Sequence, residues 1–148
     1  MKRLFLFPLL IVAFTMLAGC ASRPSGSLQW IVVEEAWVRP APMEEGNAAA
    51  YMVIRNNDDV VDVLTGAEAD FATSVELHQT TAEGEMMHMM PVEQINIPAK
   101  GRVRLEPGGY HIMLMGLNET LKVGDTVTLT LHFQRAGDVV VQAEVREQ

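Results

Sequence analysis

Short apolar segments alternate with turn sequences along most of the chain. Segments rich in Val, Ile, Leu and Thr recur from residue 28 onward, and Gly, Pro, Asn and Asp cluster between them. This pattern is typical of an all-β sandwich or barrel. A short helical turn is predicted over residues 67–72, and no longer helical period is found. The predicted strands are 28–35, 48–56, 60–65, 74–80, 85–90, 92–97, 102–106, 110–115, 126–134 and 138–145.

The clearest alternation lies in the strand predicted at residues 126–134. Its apolar residues fall on one face, whereas three Thr residues and His132 fall on the other. A sheet with one buried and one solvated face produces this period of two. We therefore expect His132 to be a surface residue and not a metal ligand. The buried set is Val127, Leu129, Leu131 and Phe133.

The first 19 residues have the features of a bacterial secretory signal. Lys2 and Arg3 precede an apolar run over residues 4–17. This run is shorter than the ~20 residues of a typical membrane-spanning helix. The sequence Leu17-Ala18-Gly19-Cys20 then resembles a bacterial lipobox, in which the cysteine is lipidated. An ordinary signal that happens to end near a cysteine is the alternative.

Cys20 is the only cysteine, so no intramolecular disulfide can form and lipidation explains the odd thiol. We predict a lipoprotein signal peptide at 1–19, a lipidated tether at 20–27 and one β domain at 28–148. The domain is expected on the periplasmic side of a bacterial membrane. Ala21 after the cysteine favours the outer membrane if the cell is Gram-negative.

The charge of the chain argues against several partners. The chain has 11 basic and 19 acidic residues, a formal net charge of −8, and loss of Lys2 and Arg3 with the signal would make it −10. Nucleic acid and anionic lipid surfaces are therefore poor partners, and cations are better ones. We found no nucleophile triad, phosphate loop or zinc-protease motif, so an enzyme is not predicted.

His and Met residues concentrate in one part of the chain. After the signal there are four His and eight Met, and three of these His with five of these Met lie between residues 78 and 113. Thioethers and imidazoles together favour Cu(I) over harder ions, and zinc prefers Cys, His and carboxylate. This composition predicts a copper site.

Strand geometry groups these residues. His111 and Met113 share one face of a strand, because successive side chains alternate. His78 and Met89 lie in a predicted hairpin with a four-residue loop at 81–84. A symmetric loop places His78 opposite Met87 with Met89 diagonal on the same face, although a one-residue slip would reverse the faces.

The spacing His78, ten residues, Met89, twenty-one residues, His111, one residue, Met113 resembles the ligand pattern of the periplasmic copper chaperone family PCuAC (DUF461-like). The resemblance covers residues 34–145 and includes Trp37-Val38-Arg39, Ala48-Ala49-Ala50-Tyr51, Asn56, Glu76-Leu77-His78 and the run from Pro107 to Leu114.

This resemblance implies a cupredoxin-like Greek-key β-sandwich or barrel that binds one Cu(I) per monomer through His78, Met89, His111 and Met113. It also implies a copper chaperone that serves a respiratory oxidase copper centre or its thiol-containing assembly factor. Some family members have a His- and Met-rich tail for a second Cu(II). The ending Val145-Arg146-Glu147-Gln148 lacks one, so that site is not expected.

Several residues near the motif have competing interpretations. Glu76 shares a face with His78 and is expected to be a solvated carboxylate, with orientation of the imidazole as the alternative. Met86, Met87, His88 and Met90 form a cluster that could be an exposed docking patch or transient copper contacts. Trp37, Arg39 and Tyr51 are expected to serve packing.

Three other functions compete with a copper chaperone. A blue-copper electron-transfer protein needs a Cys thiolate, and the only Cys is assigned to lipidation. A copper-sequestering protein for metal tolerance would use the same site as a chaperone. A β-sandwich lipoprotein for envelope structure would bind no stoichiometric metal.

Overall fold

The computed structural model describes residues 30–40, 46–84 and 86–147. The predicted signal peptide, the lipidated Cys20 and the tether lie outside the described residues. Within the described part, no helix has the length and apolarity needed to cross a membrane. The strands are β1 Ile31–Pro40, β2 Asn47–Asn56, β3 Asp62–Glu68, β4 Ala72–Glu83, β5 Met86–Pro91, β6 Ile95–Ile97, β7 Arg102–Leu105, β8 Tyr110–Leu117, β9 Thr126–Phe133 and β10 Gly137–Val145.

The ten strands of the described residues belong to one sheet, in the order β5-β4-β8-β7-β2-β1-β10-β9-β3-β6. Strands that are distant in sequence are neighbours: β4 pairs with β8, β3 with β9, and β1 runs parallel to β10. These crossovers confirm the predicted all-β class. The two terminal strands of the sheet are β5 and β6, and β5 carries the Met-rich sequence.

The core lies on the apolar face of the alternating strands. In β9, Val127, Leu129, Leu131 and Phe133 are buried, as the alternation predicts. In the centre of the sheet, Ile112 and Leu114 of β8 are fully buried together with Ala48, Ala50, Met52 and Ile54 of β2. Burying each large aliphatic side chain stabilises the fold by roughly 1.5–3 kcal/mol. The opposite face of β8 is therefore free to carry polar chemistry.

The predicted helical turn at 67–72 is wrong. β3 continues to Glu68, with Ala67 paired to Leu131 of β9, and β4 already begins at Ala72. Between them is a tight turn, in which the Ala72 N–H donates to the carbonyl of Ala69 at 3.1 Å. Pairing with β9 overrides the helix preference of the alanines, because local propensity is a weak determinant.

β7 and β8 pair one after the other with the same edge of β2. Residues 102–105 pair with β2 at 52–55, and residues 112–115 pair with it at 47–50. A turn at 106–109 separates the two halves: the Gly109 N–H donates to the Glu106 carbonyl at 3.0 Å, and Gly108 has φ +82°. Pro107 and Gly108 thus occupy the central positions of a type II turn, where the second requires a positive φ. This turn leads directly into β8, whose second residue is His111.

His132 lies on the Thr-lined face of β9, as predicted. Its Nδ1 donates to Asp138 Oδ1 at 2.7 Å, and its Nε2 lies 3.4 Å from Glu68 Oε1 without hydrogen-bond geometry. The hydrogen bond to Asp138 raises the pKa of His132 above its ordinary value of 6.5, and burial opposes this only in part. The ring thus interacts with two carboxylates, and we do not assign it as a metal ligand.

This pair predicts a pH-dependent stability. A raised pKa means that folding strengthens proton binding, so the stabilisation is complete below pH 6.5 and is lost as the pH rises through the folded-state pKa of His132. We expect Asp138→Asn to lower the melting temperature at about pH 5.5 and to lower it less at about pH 9. Glu144→Gln, on the same strand, is the control and should show no such pH dependence. An equal loss for Asp138→Asn at both pH values would contradict the prediction.

Candidate metal centre

Two histidines face each other across the β4 and β8 strands. His78 and His111 are direct cross-strand partners, and their ring centroids lie 5.7 Å apart. Met113, two residues after His111, is on the same face and pairs with Glu76. Its neighbours Ile112 and Leu114 point into the core. The predicted grouping of His111 with Met113 on one face is therefore confirmed.

Met89 approaches from the terminal strand. The β4–β5 hairpin pairs His78 with Pro91 and Thr80 with Met89. Because partners across a ladder share a face, Met89 is on the face of His78 and diagonal to it. Register thus brings all four predicted ligands to one face of three adjacent strands.

The predicted register of this hairpin is wrong. His78 was expected opposite Met87, but Met87 pairs with Ala82, because the loop has two residues instead of four. Gly84 opens that loop with φ +64°. The type I′ and II′ turns that suit two-residue hairpin loops require a positive φ at this position. The pairing moves by an even number of residues, so each side chain keeps its face.

Hydrogen bonds fix which ring nitrogen of each histidine carries the proton. His111 Nδ1 lies 3.2 Å from the Gly109 carbonyl oxygen, and His78 Nε2 lies 3.0 Å from Glu76 Oε2. A carbonyl oxygen and an ionised carboxylate can only accept, so both of these ring nitrogens donate. The lone pairs are then on His111 Nε2 and His78 Nδ1.

These two lone-pair nitrogens are buried and have no hydrogen-bond partner among the described residues. Buried polar atoms almost always have partners, so two such atoms on neighbouring rings require an explanation. Histidines that bind metals usually donate their other N–H to a carboxylate or a carbonyl, as His78 and His111 do. The arrangement fits a pair of imidazole ligands.

Burial also keeps His111 available as a ligand. The ring is 3% exposed, and this burial lowers its pKa below 6.5, despite the opposing hydrogen bond to Gly109. The positive charge that His78 carries when it is protonated and the positive charge of Arg39 both act to lower this pKa further. At neutral pH His111 is therefore the neutral imidazole, the form that binds a metal.

The donor set limits which metal could bind. Among the described residues, no group of three or more His, Cys, Asp and Glu could hold a metal ion. The further donors that register brings to the face of His78 and His111 are the thioethers of Met113 and Met89. Imidazole with thioether suits Cu(I) and is poorly suited to zinc, magnesium or calcium.

Known proteins that are similar to this chain in sequence and structure include copper-bound ones. Residues 31–145 match the family described as "Putative lipoprotein LpqE-like". The solution structure of Cu(I)-DR1885 from Deinococcus radiodurans is 37% identical, with a TM-score of 0.66 over 88% of this chain and 84% of that one. The copper-bound PCuAC domain from PmoF2 is 30% identical, with a TM-score of 0.68 over 80% of this chain and 94% of that one. The chain belongs to the LpqE-like, or PCuAC, family.

A curated relative of this PCuAC protein is "Putative lipoprotein Lxx21020" from Leifsonia xyli subsp. xyli. It is 31% identical over 132 residues, which is 88% of this chain and 78% of the relative. The predicted cupredoxin-like fold is confirmed by the likeness to PCuAC domains. None of these comparisons assigns ligands, so the residue set above stays a prediction.

An aromatic row covers the PCuAC face beside the histidines. The rings of Trp37, Tyr51, His111 and His78 lie side by side across β1, β2, β8 and β4, with centroid distances of 4.6, 6.3 and 5.7 Å. Tyr51 is 3% exposed, and Arg39 Nη2 donates to its hydroxyl at 3.0 Å. These residues, expected to serve packing, shield one side of His111 from water.

Two hydrogen-bond acceptors hold the histidine rings in place, and only one of them has a signal in the sequence. Glu76 is exposed, as expected, and it also accepts from His78 Nε2, as the alternative interpretation had it. The Gly109 carbonyl accepts from both His111 Nδ1 and the Thr80 N–H, the latter at 3.0 Å. The alternation of Glu76 and His78 signals the first contact. A backbone carbonyl leaves no side-chain signal, so the second could not be read from the sequence.

Proposed function

We propose that this protein binds one Cu(I) ion through His78, Met89, His111 and Met113 and hands it to another protein. The observation that carries the proposal is the facing pair His78 and His111, whose buried Nδ1 and Nε2 have no partner among the described residues. The copper-bound PCuAC domain from PmoF2 and Cu(I)-DR1885 from Deinococcus radiodurans support the same metal. The role is transport, and we propose no catalysis.

The ligand set is suited to release as well as to capture. All four ligands are neutral, so none compensates the charge of the metal, and exchange of the ion is not opposed by a tightly bound thiolate. Met89 lies on the terminal strand and is 56% exposed. An acceptor thiolate could therefore replace this thioether first, and a thiolate site, whose soft and charged sulfur favours Cu(I), would hold the ion more tightly. Copper remains Cu(I) throughout, so no electron donor is needed.

We further propose that the chain acts on the periplasmic side of a bacterial membrane, anchored through lipid on Cys20. The similarity to the Leifsonia xyli lipoprotein supports the anchor. As acceptor we propose the copper centre of a respiratory oxidase or the thiol-containing assembly factor that loads it. These acceptors fit the chemistry above because a thiolate binds Cu(I) more tightly than a thioether.

Delivery is tested in a deletion strain grown under copper limitation. The copper content of the oxidase should fall, wild-type protein should restore it, and the variant His111→Leu, expressed at the same level, should not. Normal oxidase copper in the deletion strain would contradict delivery to this acceptor. Full restoration by His111→Leu would contradict the proposed site.

The contact from Glu76 to His78 predicts a measurable contribution to affinity. Glu76→Gln retains an acceptor but removes the charge that holds the His78 N–H, and such supporting contacts are typically worth 10- to 100-fold in metal affinity. We expect Cu(I) affinity to fall about tenfold. Anaerobic competition with a chromophoric Cu(I) chelator measures it. The control Glu93→Gln, an exposed residue beyond β5, should leave the affinity unchanged. Equal affinities of the two variants would show that Glu76 does not support the site.

A further inference from the structure

The outer strand β5 exposes an unusual amount of thioether surface. Met86, Met87, Met89 and Met90 are 66%, 61%, 56% and 48% exposed, and His88 between them is exposed as well. Methionine usually fills gaps in a core, and adjacent exposed apolar side chains generally mark a binding site. Only Met89 belongs to the four-residue site proposed above. The remaining residues of β5 therefore need a separate explanation.

Strand alternation divides these residues between two faces. Met87 and Met89 pair with Ala82 and Thr80, on the face of His78. Met86, His88 and Met90 lie on the opposite face. The three residues Met86, His88 and Met90 are hereafter called the outer triplet. The outer triplet repeats, within a single strand, the two donor types of the His78 and His111 site.

The spacing of the outer triplet lets His88 share one ion with one neighbouring methionine at a time. Residues two apart in a strand are about 7 Å apart, so His88 lies about 7 Å from Met86 and from Met90 along β5. Methionine has three rotatable side-chain bonds, and these let its sulfur reach toward a neighbour on the same face. An ion shared by His88 and either Met86 or Met90 would lie about 3.3 Å along the strand from each of the two residues, within reach of both side chains. Thioether and imidazole together select Cu(I) among common metals.

We propose that His88, together with Met86 or Met90, forms a second Cu(I) site within the outer triplet, on the opposite face of β5 from His78. It is distinct from a Cu(II) site in a C-terminal tail, because its ligands all come from one strand. Its ligands are exposed, so we expect it to be the weaker of the two sites. The net charge of −8 favours the approach of a cation to either site.

The position of the outer triplet gives the second site a role. β5 is a terminal strand of the sheet, so among the described residues no strand covers its outer edge. Copper held by the outer triplet has only to pass around this edge to reach Met87 and Met89. Met87 already extends toward the turn before His111: a Cβ added at Gly108 would lie 3.9 Å from Met87 Cε. Ligand exchange along β5 would thus load the His78 and His111 site, an extension that rests on the proposed function.

The test is an anaerobic Cu(I) titration of the full chain in detergent, followed through the NMR signals of ¹³C-labelled methionine methyl groups. The first equivalent should shift Met89 and Met113, and the second should shift Met86 and Met90. The variant Met86→Leu/His88→Gln/Met90→Leu should lose the second equivalent and keep the first. The control Met115→Leu changes a half-buried methionine of β8 that belongs to neither site, and it should retain both equivalents.

Three results would be decisive. A second equivalent that shifts neither Met86 nor Met90 would overturn the inference. So would a second equivalent that the triple variant binds as tightly as the wild type. Shifts of Met86 and Met90 without any response of Met113 would support the outer triplet and contradict the proposed four-residue site, so the two proposals fail separately.

Discussion

The variant His111→Leu is expected to bind Cu(I) at least 100-fold more weakly while its metal-free form is no less stable than the wild type. Loss of a supporting contact alone typically costs 10- to 100-fold, so loss of a ligand should exceed that range. A factor of 100 corresponds to about 2.8 kcal/mol. Affinity is measured by anaerobic competition with a chromophoric Cu(I) chelator.

The expected stability has a separate physical reason. His111 is 3% exposed, and its Nε2 is buried without a hydrogen-bond partner among the described residues. A buried polar atom without a partner costs about 1–3 kcal/mol, and leucine removes that cost. The Gly109 carbonyl loses the imidazole but keeps the Thr80 N–H as donor. We therefore expect the melting temperature of the metal-free variant to stay the same or to rise.

His132→Leu is the matched control, because His132 lies on β9 and pairs with Asp138. It should leave Cu(I) affinity unchanged. A metal-free His111→Leu protein that unfolds well below the wild-type temperature would mean that His111 has a structural role. Unchanged Cu(I) affinity would remove His111 from the site.

Met113→Leu should reduce Cu(I) affinity about 100-fold, whereas Met115→Leu should have almost no effect. A thioether ligand is removed in the first case, and the expected size again follows from the 10- to 100-fold range for weaker perturbations. Met113 and Met115 are on the same face of β8, and both are half-buried. Met113 lies beside Glu76 and Ala49, and Met115 beside Ser74 and Asn47. Comparing the two variants therefore separates loss of a thioether at the proposed site from a general effect of replacing methionine by leucine on β8.

Leucine conserves the volume of methionine, so both variants should lose less than about 1.5 kcal/mol of stability. The same competition titration measures affinity, and thermal unfolding of the metal-free proteins checks the fold. Equal losses of affinity in both variants would indicate a general effect of packing on β8. No loss in either variant would contradict thioether ligation by Met113.

The strands β9 and β10 could be predicted because their side chains alternate strictly between buried and more exposed positions. Val127, Leu129 and Leu131 show the period of two on one buried face, and the structure buries all three. The turn at 67–72 could not be predicted this way. Ala67 owes its extended conformation to pairing with Leu131, more than sixty residues later, and a local pattern does not contain that contact.

Part of the candidate site could also be predicted from the sequence. Alternation placed His111 with Met113, and the face of Met89 survived an error in register because the error was even. The cross-strand pairing of His78 with His111 depends on β4 lying next to β8, which is a property of the topology. The buried state of the two free ring nitrogens depends on packing and could not be read from residue types.

The central claim is that one Cu(I) is bound by two imidazole nitrogens and two thioether sulfurs. X-ray absorption at the copper edge, on the full chain loaded anaerobically with less than one equivalent of Cu(I), tests it most directly. We expect two nitrogen and two sulfur neighbours of copper in the wild type, and one sulfur fewer in Met113→Leu. A copper environment without sulfur, or an identical spectrum for Met113→Leu, would contradict it.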